Sequence, residues 1–143
     1  MSSDINYDFT RLSVLELGCG SGLPALYALS KGATDVSLQD YNSEVINFVT
    51  IPSVLCNKHS CISHCNFYSG SWDTLRNTIP SSTSYDIILT SETIYSEISQ
   101  RVLLSAMKTL LKPNGKVFVA AKSYYFGVGG SIAEFQRLVR EDG

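Results

Sequence analysis

The stretch LELGCGSGLPAL, residues 15–26, sets Gly18, Gly20 and Gly22 at alternate positions between two apolar runs. The run before it, RLSVLEL (11–17), has the leucine and valine content of a strand. The run after it, residues 22–31, reads as a helix that Gly32 is placed to cap. A strand that turns through glycines straight into a helix is the first half of a βαβ unit, and four further runs continue the pattern. DVSLQD (35–40), ISHCNFY (62–68), YDIILTS (85–91) and GKVFVAAK (115–122) are short, bounded by turn formers and in places apolar throughout, as strands buried on both faces are. Helical patterns lie between them. Ser43 stands as an N-cap before EVINFVT, and Pro52 predicts a break or a new first turn. Residues 97–112 carry a stripe of Val102, Leu103, Ala106, Leu110 and Leu111, and Pro113, Asn114 and Gly115 then turn the chain toward the fifth strand. A last helix is expected over SIAEFQRLVRED. The alternation predicts an α/β fold, a doubly wound, mostly parallel sheet with helices on both faces.

The 143 residues suit a single domain spanning 1–143. With 44% hydrophobic and 17% charged residues the composition is that of a globular protein. No apolar run approaches the roughly 20 residues of a membrane span, so no membrane association is expected. The opening MSSDINYDFTRLS lacks the basic start and apolar centre of a secretion signal, which predicts an intracellular protein with reduced cysteines. A formal charge of −2 offers no broad basic field and argues against a dedicated nucleic-acid binder.

In a doubly wound sheet, ligands bind beyond the carboxyl ends of the strands, where Gly18–Gly22 fall. The spacing excludes two phosphate cradles. A dinucleotide fingerprint needs glycine or alanine three places after its second glycine, and Leu23 stands there; no Lys-Ser/Thr pair completes a P-loop. Glu16, just before the loop, would repel pyrophosphate and suits a ligand carrying positive charge. Asp40 ends the second strand, 18 residues after Gly22, where a carboxylate accepts both ribose hydroxyls. S-adenosylmethionine, a nucleoside without phosphate that bears a cationic tail, fits such a site; the plainer alternative is that the glycines only make a tight turn and the acids are solvated. Cys19 sits within the loop as a small side chain, not as a nucleophile.

These motifs resemble the seven-strand S-adenosylmethionine-dependent methyltransferases, a Rossmann-like class. VLELGCGSG is similar to their first motif, LQDYN to their second-strand acid and LLKPNGKVFV to the turn into their fifth strand. GCGSGLPAL, QDYNSEVINFVTIPSV, ILTSETIY and KSYYFGVGG together resemble the protein-histidine branch of the methyltransferase-like proteins. The resemblance implies methylation of the tele nitrogen of a histidine in a large-subunit ribosomal protein, in cytoplasm and nucleus; a monomer without direct nucleic-acid binding is expected besides. A lysine acceptor and a non-catalytic S-adenosylmethionine-binding module are the alternatives. The resemblance also assigns residues. Glu16, Gly18, Cys19, Gly20 and Gly22 form the cofactor loop, Asp40 with Asn42 the ribose edge, and Gly70, Ser71 and Trp72 the adenine flank. Ser91 lies at the cofactor side of SETIY, while Glu92 and Tyr95 of its acid-x-x-Tyr motif are the catalytic candidates. Tyr125, Phe126, Gly127 and Gly129 are the substrate-side loop. Each has a plainer alternative: Trp72 as core packing, Glu92 as a solvated helix-start acid, Tyr95 and Tyr125 as packing rings, and the glycines as a turn rather than a mobile lid. The resemblance further implies more sequence before the first strand and two closing strands after the fifth, so the last two strands of the family sheet are expected to be missing and the fifth strand to be an open edge.

A histidine acceptor, with an ordinary pKa about 6.5, is largely neutral at pH 7 and needs orientation; a lysine, at about 10.4, must first lose a proton. Glu92 holding one imidazole N–H would present the other nitrogen. Cys56, His59, Cys61, His64 and Cys65 crowd together without a C-x-x-C pair, and His64 and Cys65 would point to opposite faces of a strand. No metal site is expected there.

Overall fold

The computed structural model describes residues 7–127 and 129–142, with side chains for all of these except 58–61. Five strands, β1 (Ser13–Leu17), β2 (Asp35–Asp40), β3 (Cys65–Ser69), β4 (Tyr85–Ser91) and β5 (Leu111–Ala120), form one parallel sheet in the order β3-β2-β1-β4-β5. Winding reverses between β1 and β4. There the carboxyl ends of neighbouring strands part and leave a crevice. Among the described residues β3 and β5 are the sheet's edges.

The period of two along each strand sorts side chains into two cores. Val14, Val36, Leu38, Ile87 and Leu89 face α1 (Leu23–Ser30) and the helical segment of α2 (Ser43–Val45) and α3 (Ile51–Lys58). Leu15, Leu17 and Ile88 face α5 (Glu97–Leu110) and α6 (Ile132–Asp142), with Leu75 of the short α4 (Leu75–Thr78). Both faces of β1 are sealed, so its carboxyl end can be held rigidly. The two glycine signals of the first βα unit are met. Gly32 takes φ 96°, and N–H groups of Gly32 and Ala33 close on the carbonyls of Leu29 and Ala28, ending α1.

Several boundaries differ from the sequence reading. β1 starts at Ser13, because Arg11 is held at φ 62° with its N–H on the Gly32 carbonyl. Asn42, not Ser43, is the N-cap of α2: Asp40 Oδ1 accepts the Asn42 N–H at 3.2 Å and closes the turn one residue early. Pro52 opens a new first turn, as its position allowed, and no break separates it from the helical turns before it. Ile46–Thr50 wind as a π-helix and α3 follows at once, with Pro52 in its first turn beside an already interrupted ladder. Residues 59–64 form a 3₁₀ turn, so His64 precedes β3 rather than lying in it, and its Nδ1–H donates to the Thr34 carbonyl at 2.9 Å. β5 follows α5 without a linker. Leu111 pairs with Tyr85 and Lys116 with Ile87, so Pro113, Asn114 and Gly115 bulge inside the strand instead of preceding it. No helix among the described residues is long and apolar enough to cross a membrane.

Candidate functional site

The glycine loop lies at the crevice, and its backbone shows what it can hold. Gly18, Gly20 and Gly22 take φ 64°, 49° and 74°, left-handed values that disfavour any side chain. The Gly18 N–H donates to Gln39 Oε1 at 3.3 Å, Cys19 N–H to the Gln39 carbonyl at 2.8 Å, Gly20 N–H to Asp40 Oδ2 at 3.0 Å, and Gly22 N–H to the Cys19 carbonyl at 2.7 Å. A phosphate cradle presents such donors to its ligand; here the protein occupies them. The first turn of α1 is also engaged. Pro24 has no N–H to offer, and the Ala25 N–H donates to Glu16 Oε2 at 2.8 Å.

That bond relocates Glu16. The sequence places it as a charge facing the ligand, but its strand position turns it onto the α1 face, where it is 2% exposed beneath the loop. Burial pushes its carboxyl up to about 8, against the pull of the Ala25 bond and with a further push from Asp40. Near neutrality it is therefore largely uncharged. Phosphate is disfavoured by the occupied N–H groups rather than by this carboxylate. Cys19 is likewise buried, its Sγ 3.6 Å from Thr50 Oγ1, and burial first of all drives its thiol up to about 12, so it supplies no thiolate.

A cleft of about 410 Å³ opens beside the loop. Of the residues the sequence singled out, Gly18, Asp40, Gly70, Ser71, Trp72 and Tyr95 line it. Tyr41, Asp73, Thr93, Ser99 and Val102 complete the wall and were not anticipated. Asp40 closes the end of β2, each carboxylate oxygen accepting one backbone N–H and retaining capacity for a second donor. Trp72 packs against the core under α5 and also lines the cleft, its Nε1–H reaching Gln39 Oε1 at 3.0 Å. Ser71 donates to Asp73 Oδ1, shaping the turn after β3. Asn42 is an exposed cap, Gly20 and Gly22 shape the loop without lining the cleft, and Ser91 is exposed at the end of β4.

Gln39 is the residue the sequence reading missed. It is fully buried near the end of β2, and its amide bonds three groups in two segments around the cleft. A long polar side chain beside the acid, at the end of a strand whose interior is buried, was the available signal. Thr50 was hidden by the π-helix, whose wide turn brings its hydroxyl to donate to the Gly20 carbonyl at 2.6 Å. Such turns recur at functional sites.

The acceptor-side residues form a second group at the end of β4. Glu92 is exposed and held at φ 57°, a strained value for a residue with a side chain. Its Oε2 accepts the Tyr125 hydroxyl at 2.9 Å, and burial together with the neighbouring carboxylate raises the phenol above its ordinary value. The following loop is anchored at its root. Tyr124 bridges to Ser131, Tyr125 N–H donates to the Gly130 carbonyl, and Gly130 N–H donates to the Tyr95 carbonyl, each of the last two at 3.1 Å. A Cβ on Gly130 would lie 2.3 Å from the Ile94 carbonyl oxygen, so this glycine serves close packing. Gly127 and Gly129, at φ 82° and 79°, have open space around them, and Phe126 is 91% exposed against Tyr124. None of these loop residues lines the cleft. In the cysteine and histidine cluster, the side chains of His59 and Cys61 lie outside the described residues. Among the described residues no group of three or more His, Cys, Asp or Glu is placed to hold a metal.

A parallel sheet in this order, with a glycine loop and an acid at its switch point, is the Rossmann-like fold of the methyltransferases. The chain belongs to the family described as lysine methyltransferase, whose model matches residues 1–126. It is 42% identical over 133 residues to a protein of Dictyostelium discoideum called histidine protein methyltransferase 1 homolog, an alignment covering 93% of this chain and 42% of that protein. The protein of the same name from Bos taurus is 39% identical over 159 residues, covering 93% and 43%. The chain thus spans about two-fifths of the length of these curated relatives. Among solved structures it is similar to a TehB-like SAM-dependent methyltransferase of Corynebacterium glutamicum, with TM-score 0.67 and 17% identity over 94% of this chain and 66% of that one. It is also similar to the glycopeptide N-methyltransferase MtfA complexed with sinefungin, with TM-score 0.63 and 18% identity over 77% and 46%. These structural likenesses establish the fold.

Proposed function

We propose that this chain binds S-adenosylmethionine and methylates a histidine of a protein, at the tele nitrogen of a large-subunit ribosomal protein, as a monomer in cytoplasm and nucleus. One observation carries the cofactor reading. In a single cleft, a glycine loop whose N–H groups are occupied by the protein faces Asp40, whose oxygens retain acceptor capacity. That donor and acceptor set suits a ribose without phosphate. The names of the relatives support the histidine acceptor.

When bound, S-adenosylmethionine supplies a methyl group on a sulfonium whose leaving group departs neutral, so the site needs no acid to protonate it. The chain's residues have binding and orienting tasks. Asp40 takes the ribose hydroxyls, and Trp72 with Gly70 and Ser71 flanks the adenine. Glu92 holds one imidazole N–H of the acceptor and so directs the other nitrogen, and Tyr95 walls the passage between the two. Orientation of this kind contributes up to about 7–11 kcal/mol in well-aligned reactions.

The family description favours a second reading, a lysine acceptor. Calorimetry with S-adenosylhomocysteine, set beside ATP and NAD, tests the cofactor: binding of the first alone is expected, and preference for a phosphate-bearing ligand overturns the reading. Mass spectrometry of ribosomal protein incubated with this chain, or with a longer version, then distinguishes modified histidine from modified lysine. Binding without methylation by either version leaves a non-catalytic module.

A further inference from the structure

Gln39 stands at the carboxyl end of β2, between the strands that carry the two walls of the cleft. Its neighbours in register are Leu17 on β1 and Tyr68 on β3. The glycine loop follows the first and Trp72 follows the second. Gln39 is 0% exposed, and a buried primary amide is costly unless its groups are bonded. Here Oε1 accepts both the Trp72 Nε1–H at 3.0 Å and the Gly18 N–H at 3.3 Å, while Nε2 donates to the Gly70 carbonyl at 2.7 Å. A leucine or methionine would fill the same volume without partners. What the amide adds is direction: it ties the loop after β1, the turn after β3 and the indole edge to one rigid point.

We propose that Gln39 is a positioning residue for the ligand cleft, setting the spacing between the glycine loop and the Trp72 wall and coupling Trp72 to ligand binding. The proposal rests on the S-adenosyl reading of the cleft. It predicts that a change at Gln39 acts on affinity through Trp72, which a residue supporting only the fold would not do.

Trp72 is the sole tryptophan, so its signals are unambiguous. In the wild-type chain the single indole N–H resonance is expected to exchange slowly with solvent and to move on addition of S-adenosylhomocysteine. Exchange at the rate of a free indole overturns the proposal without any variant. In Gln39→Met, checked for folding by circular dichroism, acrylamide quenching of Trp72 is expected to rise and S-adenosylhomocysteine affinity to fall roughly 10- to 100-fold, the scale of two or three lost hydrogen bonds. Adding Trp72→Phe to that variant should weaken binding by less than about threefold more, because the indole acts through the missing amide. Wild-type quenching and affinity in folded Gln39→Met, or full additivity of the two changes, overturns the proposal and leaves the cofactor reading standing. Absence of binding by the wild type overturns the cofactor reading and this proposal with it.

Discussion

The Tyr125 hydroxyl donates to Glu92 Oε2 at 2.9 Å, joining the loop after β5 to the strained end of β4. One carboxylate oxygen is thereby fixed, and in the function we propose the other takes the N–H of the acceptor histidine. Because the phenol is raised above its ordinary value, it stays a donor throughout a neutral assay range. Glu92→Gln should lower turnover about 100-fold, the scale of a misplaced acceptor, while Tyr125→Phe should lower it roughly 3- to 10-fold. Neither should alter S-adenosylhomocysteine affinity. Rates of methylation by mass spectrometry, with calorimetry in parallel, check both; equal losses in binding would place the pair in the cofactor wall instead.

Glu16 makes stability depend on pH. Its carboxyl is raised in the folded chain to about 8, above the ordinary 4.5, so between these values the folded state binds more protons than the unfolded one. The contribution is complete below about 4.5 and is lost as pH rises through about 8. The melting temperature should therefore decline between pH 5.5 and pH 8.5, by about 5–10 °C from this group. Glu16→Gln, which keeps an acceptor for the Ala25 N–H, should flatten that decline. Thermal melts across the pH series measure it, and a parallel slope in the variant refutes the assignment.

The three loop glycines differ in what surrounds them. A Cβ at Gly18 would meet Thr93 Cγ2 at 2.7 Å and one at Gly22 would meet Leu38 Cδ2 at 2.7 Å, whereas at Gly20 there is nothing within 4 Å. All three carry the left-handed backbone penalty of about 1–2 kcal/mol. Gly18→Ala and Gly22→Ala add a clash, so denaturant melts should show each destabilised by about 2–4 kcal/mol and Gly20→Ala by about 1 kcal/mol. Equal losses at all three positions would show that conformation alone matters.

The five strands, the loop and the acid at the end of β2 were legible because each is written locally: apolar runs in the strands, glycines where φ must be positive, Asp40 at a strand end. Trp72 was legible only as an alternative, since a half-buried indole serves packing and the cleft together. Gln39 and Thr50 escaped because their roles are tertiary. Gln39 acts through segments 21 and 31 residues away, and Thr50 reaches Gly20 only because a π-helical turn shifts its phase. Glu16 was misassigned for a related reason. Its spacing fits a ligand-facing charge, but strand alternation turns it onto the α1 face, where burial neutralises it. The bulge at Pro113–Gly115 likewise follows from pairing with β4, which no local pattern of the segment encodes.

Asp40 offers the sharpest test of the ligand because its two oxygens have separate tasks. Oδ2 holds the Gly20 N–H at 3.0 Å and Oδ1 the Asn42 N–H at 3.2 Å, so the side chain shapes the loop as well as facing the cleft. Asp40→Asn keeps one acceptor and opposes an NH₂ group to an N–H donor. S-adenosylhomocysteine affinity should fall roughly 10- to 100-fold, since hydrogen bonds to a charged acceptor are about twice as strong as neutral ones. A ligand lacking the ribose 2′-hydroxyl separates the two tasks. It should bind the wild type more weakly than S-adenosylhomocysteine does, and the gap should narrow in Asp40→Asn, where the partner of that hydroxyl is already compromised. Removing the charge should also let the Glu16 carboxyl relax downward, since Asp40 contributes to its rise, and so shallow the decline of melting temperature with pH. Calorimetry with the two ligands reads the first effect and melts across pH the second. An undiminished gap between the ligands in Asp40→Asn would remove Asp40 from the ribose edge and confine it to holding the loop.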